Sequence, residues 1–357
     1  DTAYHFDASL FGKFLKNRFC KKAKHYIDDV VAVKKDEDGF ITSLVGDSGT
    51  EYSADLYVDC TGFKSLLLEK EMGSEFISFK PWLDNDKAIA THLPYKDKTK
   101  EIRNVTHCTA LSSGWSWNIP LWNRMGSGYV YSSDFISDDD AEKEFKQHVG
   151  NEDIEIRKIN IRHGVRERGW VKNVVGVGLS YGFIEPLEST GLVSTHEMIQ
   201  QLVEILDRRN YNITGFDRDS YNYACQLVVT GYMYFVSLHY KLSQRSDTPY
   251  WKYQTEIKDW FKLSDPRLFT ENKMHFSYEN GSTVWYENVH QFHSLAHRWD
   301  PEKHGIHYIM AGMGHVPYAN YLYGVLESGS SDNFGKDADK LYQDFKNHAK
   351  MIEGIVL

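Results

Sequence analysis

The order of hydrophobic periodicities along the chain is the feature that most constrains its fold. Up to Leu179, short alternating segments are separated by turn sequences such as Asp36-Glu37-Asp38-Gly39, a pattern typical of short strands. From Thr190 onward, apolar residues recur with helical spacing, clearest at 190–208 and 217–242. The sequence therefore predicts a mixed α/β fold followed by a mainly helical part. We place the domain boundary between residues 1–210 and 211–357.

Composition excludes several classes of function. The net charge is −9 and the basic residues are scattered among acidic ones, which argues against a nucleic-acid-binding protein. No segment approaches the roughly 18 apolar residues of a membrane span. Four widely separated cysteines give neither a zinc motif nor a disulfide framework, so a cytoplasmic protein is expected. Aromatic residues make up 14% of the chain, which suits either a large core or the walls of a pocket for a flat apolar ligand.

The segment from Val174 to Leu192 predicts an anion site. It reads as a buried strand, a glycine-containing loop and a helix that begins near Thr190. The start of a helix offers free backbone N–H groups and the positive end of the helix dipole, and Gly191 leaves room for an ion or a ring. Glu188 lies just before this start, where it could serve as a base or a hydrogen-bond acceptor. The alternative is that Ser189 or Thr190 simply caps the helix and Glu188 is a solvated carboxylate.

A second segment, Trp115-Ser-Trp-Asn-Ile-Pro120, predicts an aromatic wall. In a strand, Trp115, Trp117 and Ile119 point to one face, because side chains alternate. Two tryptophans separated by one residue form a broad rigid surface, although the same spacing also suits a large core. For a wall, the bulk of the rings would matter more than the indole N–H groups.

Five segments in order along nearly the whole chain resemble the flavin-dependent tryptophan halogenase family. Trp115-Ser-Trp-Asn-Ile-Pro120 is similar to its Trp-x-Trp-x-Ile-Pro signature, and Glu185-Pro-Leu-Glu-Ser-Thr-Gly191 is similar to its flavin and halide segment. The other three are Tyr4-His-Phe-Asp-Ala8, Asp59-Cys-Thr-Gly-Phe63 and His239-Tyr-Lys-Leu-Ser-Gln-Arg-Ser-Asp-Thr-Pro-Tyr-Trp251.

The resemblance implies an α/β flavoprotein of the monooxygenase-like type, with a two- or three-layer FAD-binding fold and a mostly helical second domain. It implies halogenation of an electron-rich, tryptophan- or indole-like aromatic by means of reduced FAD, O₂ and chloride or bromide. A separate flavin reductase would supply the reduced FAD. The substrate would be a small aromatic molecule, with no nucleic acid, membrane or metal involved, and a homodimer is left open.

The resemblance also implies roles for individual residues. Glu188 matches the glutamate that directs substitution on the substrate, and the backbone amides of Thr190 and Gly191 match the halide site. The residues implied near the flavin are Gly62, Leu179, Ser180, Gly182 and Leu192. Those implied to separate the substrate from the flavin are Trp115, Trp117, Ile119 and Pro120.

Two family features are absent from this sequence. It contains no Gly-x-Gly-x-x-Gly unit for the FAD pyrophosphate, and no lysine can be assigned the family's catalytic role. We therefore expect a fold that lacks its first βαβ unit, and we expect the 357-residue chain alone to bind FAD weakly or not at all and not to halogenate.

Two alternatives remain open at this stage. One is a flavin-dependent aromatic hydroxylase of the same architecture, which the double-tryptophan wall disfavours because a hydroxylase needs its substrate beside the flavin. The other is a non-catalytic remnant that binds an aromatic ligand. His290, His293 and His297 have a spacing that could suit a metal, but packing or solvent-facing roles are expected for them.

Overall fold

The computed structural model describes residues 4–103, 105–241, 243, 245–258, 265 and 267–268, and the backbone of 274–277 and 283–286. The three histidines at 290–297 and the helices predicted at 317–327 and 337–352 lie outside these residues. None of the helices described is long and apolar enough to cross a membrane.

Six α-helices are described, and four of them begin with a side-chain N-cap. They are α1 (Ala8–Arg18), α2 (Lys98–Glu101), α3 (Asp138–Val149), α4 (Thr190–Arg208), α5 (Gly215–Lys241) and α6 (Pro249–Lys252). The sequence predicts Asp7 and Thr248 as the caps of the first and last of these helices, and the structure confirms both. The Asp7 carboxylate accepts hydrogen bonds from two backbone N–H groups of α1, and the Thr248 side chain accepts one from Trp251 in α6. The spacing of apolar residues predicts one amphipathic helix over residues 7–24, but α1 ends at Arg18.

Sixteen short strands are described. They are β1 (Val30–Lys35), β2 (Ile41–Gly46), β3 (Glu51–Tyr52), β4 (Tyr57–Asp59), β5 (Phe76–Ser78), β6 (Lys87–Leu93), β7 (His107–Leu111), β8 (Gly114–Pro120), β9 (Met125–Tyr131), β10 (Arg157–Asn160), β11 (Gly164–Arg166), β12 (Trp170–Val171), β13 (Val174–Gly176), β14 (Gly182–Phe183), β15 (Met274–Ser277) and β16 (Thr283–Tyr286). Residues 26–29 were predicted as part of the first strand, which instead begins at Val30.

The largest sheet carries the predicted aromatic wall. Its five antiparallel strands run in the order β10-β6-β9-β8-β7, and Trp117 of β8 lies opposite Gly128 of β9. A Cβ atom at Gly128 would come within 2.1 Å of the Trp117 ring, so a glycine here lets the indole lie flat across the neighbouring strand.

A smaller sheet brings distant parts of the chain together. Its strands run in the order β12-β13-β4, with β13 and β4 parallel, so that Val175 lies opposite Val58. This pairing places the turn after β4 beside the segment that follows β13. Helices α4 and α5 pack against each other next to it, and their inward residues, such as Met198 and Met233, join the main core. The mixed α/β fold predicted from the sequence is confirmed.

Candidate functional site

The loop before α4 has an unusual backbone. Glu188 and Ser189 both lie in the left-handed region, with φ of 61° and 56°. Non-glycine residues rarely adopt this conformation, which costs each of them about 1 to 2 kcal/mol. Strain of this kind persists only where surrounding contacts enforce it, and it is concentrated at functional sites. The loop that the sequence singled out therefore has the backbone of a built site.

The start of α4 is not capped in the ordinary way. Ser189 occupies the N-cap position, yet its side chain makes no capping hydrogen bond within the described structure. The Thr190 hydroxyl donates instead to the carbonyl of Glu185, at 3.3 Å. Ser189 therefore does not cap the helix as the simple alternative expects, whereas the exposed Glu188 carboxylate agrees with that alternative. A Cβ atom at Gly191 would meet only the Phe183 ring, at 3.9 Å, so the first turn of α4 has an open approach.

The Glu188 side chain is exposed and faces the partly buried His239. Its Oε1 lies 3.7 Å from His239 Nε2, while His239 Nδ1 lies 3.0 Å from the carbonyl of Phe235. Since a carbonyl can only accept, Nδ1 carries a hydrogen and Nε2 is the nitrogen left to face Glu188. Within the described residues, this buried Nε2 has no hydrogen-bond partner. Glu188 and His239 are thus placed to share a proton or a polar ligand.

The aromatic wall lies against the same loop. The Trp115 and Trp117 ring centroids are 5.9 Å apart, which confirms that the two rings are neighbours on one strand. Cys108 of β7 lies opposite Trp117 at the surface, and desolvation by neighbouring protein atoms, with a contribution from the Glu188 carboxylate, raises the pKa of its thiol to about 11. The Trp117 part of the wall and Glu188 are therefore close in space.

Trp115 contacts the loop directly through its indole N–H. Nε1 donates to Glu185 Oε2 at 3.2 Å, and the same oxygen accepts from Asn85 Nδ2 at 3.4 Å and from the Tyr240 hydroxyl. Glu185 is fully buried. Burial raises the pKa of its carboxyl to about 7, although the hydrogen bonds from Tyr240, Trp115 and Asn85 favour the ionised form.

An apolar surface lies on the other side of the loop. Leu179 and Leu192 are 41% and 61% exposed, and they lie on two elements that contact each other. Gly62 has a φ of 69°, and a Cβ atom there would meet nothing within 4 Å. Leu179, Leu192 and Gly62 are three of the residues expected near the flavin, and they leave an accessible, mainly apolar surface.

The other two residues expected near the flavin, Ser180 and Gly182, make contacts within the fold. The buried Ser180 hydroxyl donates to Asp59 at 3.1 Å, and the Ser180 carbonyl accepts from the Ser65 hydroxyl at 2.8 Å. Gly182 pairs with Val165 of β11, and a Cβ atom there would meet the Gly164 carbonyl at 3.0 Å. Ser180 and Gly182 could therefore shape such a site only through their backbone.

Asp59 connects the turn after β4 to this surface. Burial opposes ionisation of its carboxyl, but hydrogen bonds from the backbone of Leu68, Thr61 and Leu67 and from the Thr61 hydroxyl outweigh it, so the pKa is lowered. Phe63, on the same turn, meets the Phe183 ring edge-on at 5.5 Å. The segments 59–65 and 178–183 thus form one surface.

Sequence reasoning missed three residues that complete the site: Glu185, His239 and Tyr240. Each lies within a segment that had been noticed, but no spacing rule assigned it a contact. The signal that could have found Glu185 is a second carboxylate three residues before Glu188 in a segment bounded by buried elements. The described residues contain no cluster of metal-ligating side chains.

Comparisons with known proteins give one consistent answer. The family model described as "Tryptophan halogenase" matches residues 1–318. The 7-chloro-L-tryptophan 6-halogenase KtzR of Kutzneria sp. (strain 744) is 40% identical over 253 residues, which cover 70% of this chain and 49% of that protein. The chain therefore spans about half the length of the curated relatives it matches.

Solved structures agree with this result. The apo structure of VirX1 superimposes with a TM-score of 0.74 and 40% identity, covering 98% of this chain and 67% of that one. The tryptophan 6-halogenase SttH from Streptomyces toxytricini gives a TM-score of 0.67 and 38% identity, covering 70% of this chain and 51% of that one.

Proposed function

The chain belongs to the tryptophan halogenase family, and we propose that it serves in flavin-dependent halogenation of an electron-rich aromatic compound. The relatives it matches act on tryptophan or chlorotryptophan by name, so tryptophan or an indole is the substrate class we propose. We further propose reduced FAD and chloride or bromide as the other reactants, and a separate flavin reductase as the supplier of reduced FAD.

The observation that carries this proposal is the position of the loop 185–189. One side of it contacts Trp115, at the aromatic wall, and the other side leads to the exposed Leu192. A wall of two indoles beside the loop supports separation of an aromatic substrate from a flavin. Halogenation tolerates that separation, whereas direct hydroxylation by a flavin needs contact between the two.

The start of α4 supplies the features that a halide site needs. The Thr190 and Gly191 backbone N–H groups lie in its first turn, where the helix dipole favours an anion. The Ser189 side chain does not cap this turn, and the approach to Gly191 is open. We propose that these two amides bind the halide.

The apolar surface fits a flavin ring. Leu179 and Leu192 are exposed and would be covered by a flat apolar group, while Gly62 leaves space beside them. When bound, reduced FAD would supply the oxidising chemistry by reacting with O₂. The chain's own residues would position the ring and keep water and substrate away from it.

We propose that Glu188 acts on the substrate side. Its exposed carboxylate can accept a proton or a hydrogen bond from the aromatic substrate, and His239 Nε2 lies 3.7 Å from it. Trp115, Trp117, Ile119 and Pro120 would form the partition on strand β8. A homodimer remains part of the proposal without a described contact.

A product assay tests this function. The protein, as its gene encodes it, is supplied with FAD, a flavin reductase, O₂, bromide and tryptophan, and the products are identified by mass spectrometry. We expect a brominated product that requires bromide. Glu188→Gln should keep the fold and flavin binding but lower the rate about 100-fold or more, on the usual scale for a positioned acid–base group.

The other results of this assay separate the alternatives. A hydroxylated product that forms without halide would favour a hydroxylase, and a colourless protein that retains no flavin would favour a non-catalytic remnant. Unchanged turnover in Glu188→Gln would remove Glu188 from the reaction. Asp138→Asn is a matched control, because the Asp138 carboxylate contacts Lys87 and Tyr131 on a different part of the large sheet.

A further inference from the structure

We propose that Glu185 is a positioning residue whose single carboxyl fixes the Trp115 indole, helix α5 and the start of the Glu188 loop in one arrangement. The proposal rests on the halogenase function only for its catalytic consequence. The Glu185 side chain is fully buried and bonds Trp115, Tyr240 and Asn85, so it does not meet a substrate itself. It acts through Trp115 and through the loop.

The hydrogen bonds of Glu185 join three separate parts of the fold. Oε2 accepts from Trp115 of β8, from Tyr240 of α5 and from Asn85 in the segment before β6. Asn85 is itself held, because its Oδ1 accepts from the Tyr250 hydroxyl at 3.0 Å. A carboxyl shared by three donors from different elements defines their relative positions, as only one arrangement satisfies them together.

The main chain of Glu185 adds a fourth connection. Its carbonyl accepts from the Thr190 hydroxyl at 3.3 Å, so both ends of the loop 185–189 are tied to this one residue. Between these ends lie the two left-handed residues, Glu188 and Ser189. A shift of Glu185 would therefore be passed to the Glu188 carboxylate and to the first turn of α4.

Helix α5 contacts the two loop carboxylates with two consecutive residues. His239 Nε2 faces Glu188 at 3.7 Å, and the Tyr240 hydroxyl donates to Glu185. Because neighbouring residues on a helix are rigidly related, the Tyr240 contact sets how His239 meets Glu188. This pairing is the reason that we assign Glu185 a role in the site rather than in the core alone.

Burial of the Glu185 carboxyl lowers the stability of the folded state. The carboxyl is fully buried, its Oε1 has no hydrogen-bond partner among the described residues, and burial raises its pKa to about 7. The ionisable groups that face it are Tyr240 from α5, Tyr250 from α6, and Asp84, which is paired with Lys258. A well-packed apolar residue would be cheaper for stability alone.

The test combines kinetics with a spectroscopic signal from Trp115. Glu185→Ala removes every side-chain contact and should lower kcat about 10- to 100-fold with little change in KM, as expected for misplaced reacting groups. Glu185→Gln keeps an acceptor for Trp115 and Tyr240 and should restore kcat to within about 3-fold of the wild type. The Trp115 indole N–H resonance, assigned with Trp115→Phe, should titrate near pH 7 in the wild type and not at all in Glu185→Gln.

Two further variants keep the test decisive. Tyr240→Phe removes one donor to the ionised carboxyl without opening a large cavity, so the midpoint of the Trp115 titration should move upward even if Glu185→Ala fails to fold. Glu51→Ala is the control. Its carboxylate bonds Lys34 and Ser43 in the sheet β1-β2-β3, which contains neither Trp115 nor the loop, so the Trp115 signal and kcat should stay unchanged.

A wild-type kcat in Glu185→Ala would overturn the proposal. So would a Trp115 resonance whose pH titration is the same in the wild type, Glu185→Gln and Tyr240→Phe. If the protein brominates nothing, the proposed function fails, and the Trp115 titration still decides whether Glu185 positions the wall.

Discussion

At the scale of single residues, the two tryptophans of the wall differ in a way that spacing does not reveal. Both lie on one face of β8, as predicted, and each was expected to act through ring bulk. The structure shows that the Trp115 N–H donates to a buried carboxyl, whereas Trp117 lies flat over Gly128. Ring bulk is therefore enough to explain the role of Trp117, but not that of Trp115.

Phenylalanine substitutions separate the two residues. Trp115→Phe removes a donor from buried Glu185 and should lower the free energy of unfolding by about 1 to 3 kcal/mol more than loss of ring area alone. Trp117→Phe should cost only about 1 kcal/mol from lost apolar contact. Urea unfolding measures both. Equal losses would mean that the Trp115 hydrogen bond contributes nothing.

At the scale of elements, the sequence predicted local structure well and long-range contacts poorly. Helix α4 was predicted with its observed ends, Thr190 and Arg208, because its apolar positions repeat regularly. Three short elements were not predicted: the strands β11 and β12 and the π-helical turn Leu66–Glu71. Each contains too few residues to show a hydrophobic periodicity. The left-handed pair before α4 was not foreseen either, because neither Glu188 nor Ser189 is a glycine.

The strain in this loop can be measured with two substitutions at Ser189. Glycine accepts a positive φ freely, whereas alanine does not, so Ser189→Gly should be more stable than Ser189→Ala by about 1 kcal/mol. The Ser189 side chain makes no capping bond in the described structure, so neither change removes one. Chemical denaturation of both variants gives the difference. A more stable alanine variant would show that the loop is not strained.

At the scale of the whole molecule, the site is assembled by pairings that no local pattern contains. The parallel pairing of β4 with β13 and the contact of α5 with the loop join residues far apart in sequence. The segment 185–191 was enough to predict Glu188, Thr190 and Gly191 as candidate residues. The role of Glu185 becomes visible only from its hydrogen bonds to Trp115 and Tyr240. The domain boundary at 210 and the weak FAD binding expected of the 357-residue chain stay predictions.

The buried ionisable groups also predict how stability depends on pH. The pKa of Glu185 is raised to about 7, so the folded state holds a proton that the unfolded state releases, and stability is lost as pH rises from about 4.5 to 7. Burial lowers the pKa of His163 to about 4, so His163 has the opposite effect: its contribution is lost as pH falls from about 6.5 to 4.

Comparison with Glu185→Gln isolates the first effect. Relative to this variant, the free energy of unfolding of the wild type should fall by about 3 kcal/mol between pH 4.5 and 8, because a pKa shift of one unit corresponds to about 1.4 kcal/mol. Urea unfolding across this range measures the difference. Parallel curves for the two proteins would show that Glu185 is ionised in the folded state throughout.

We propose that the start of α4 binds a halide beside the aromatic wall, and diffraction from bromide-soaked crystals can locate that ion. Crystals of the flavin-bound protein, as its gene encodes it, are soaked in bromide and measured at the bromine absorption edge. We predict an anomalous peak within hydrogen-bonding distance of the Thr190 and Gly191 backbone nitrogens. A well-ordered loop with flavin bound and no anomalous peak at these amides would contradict the account.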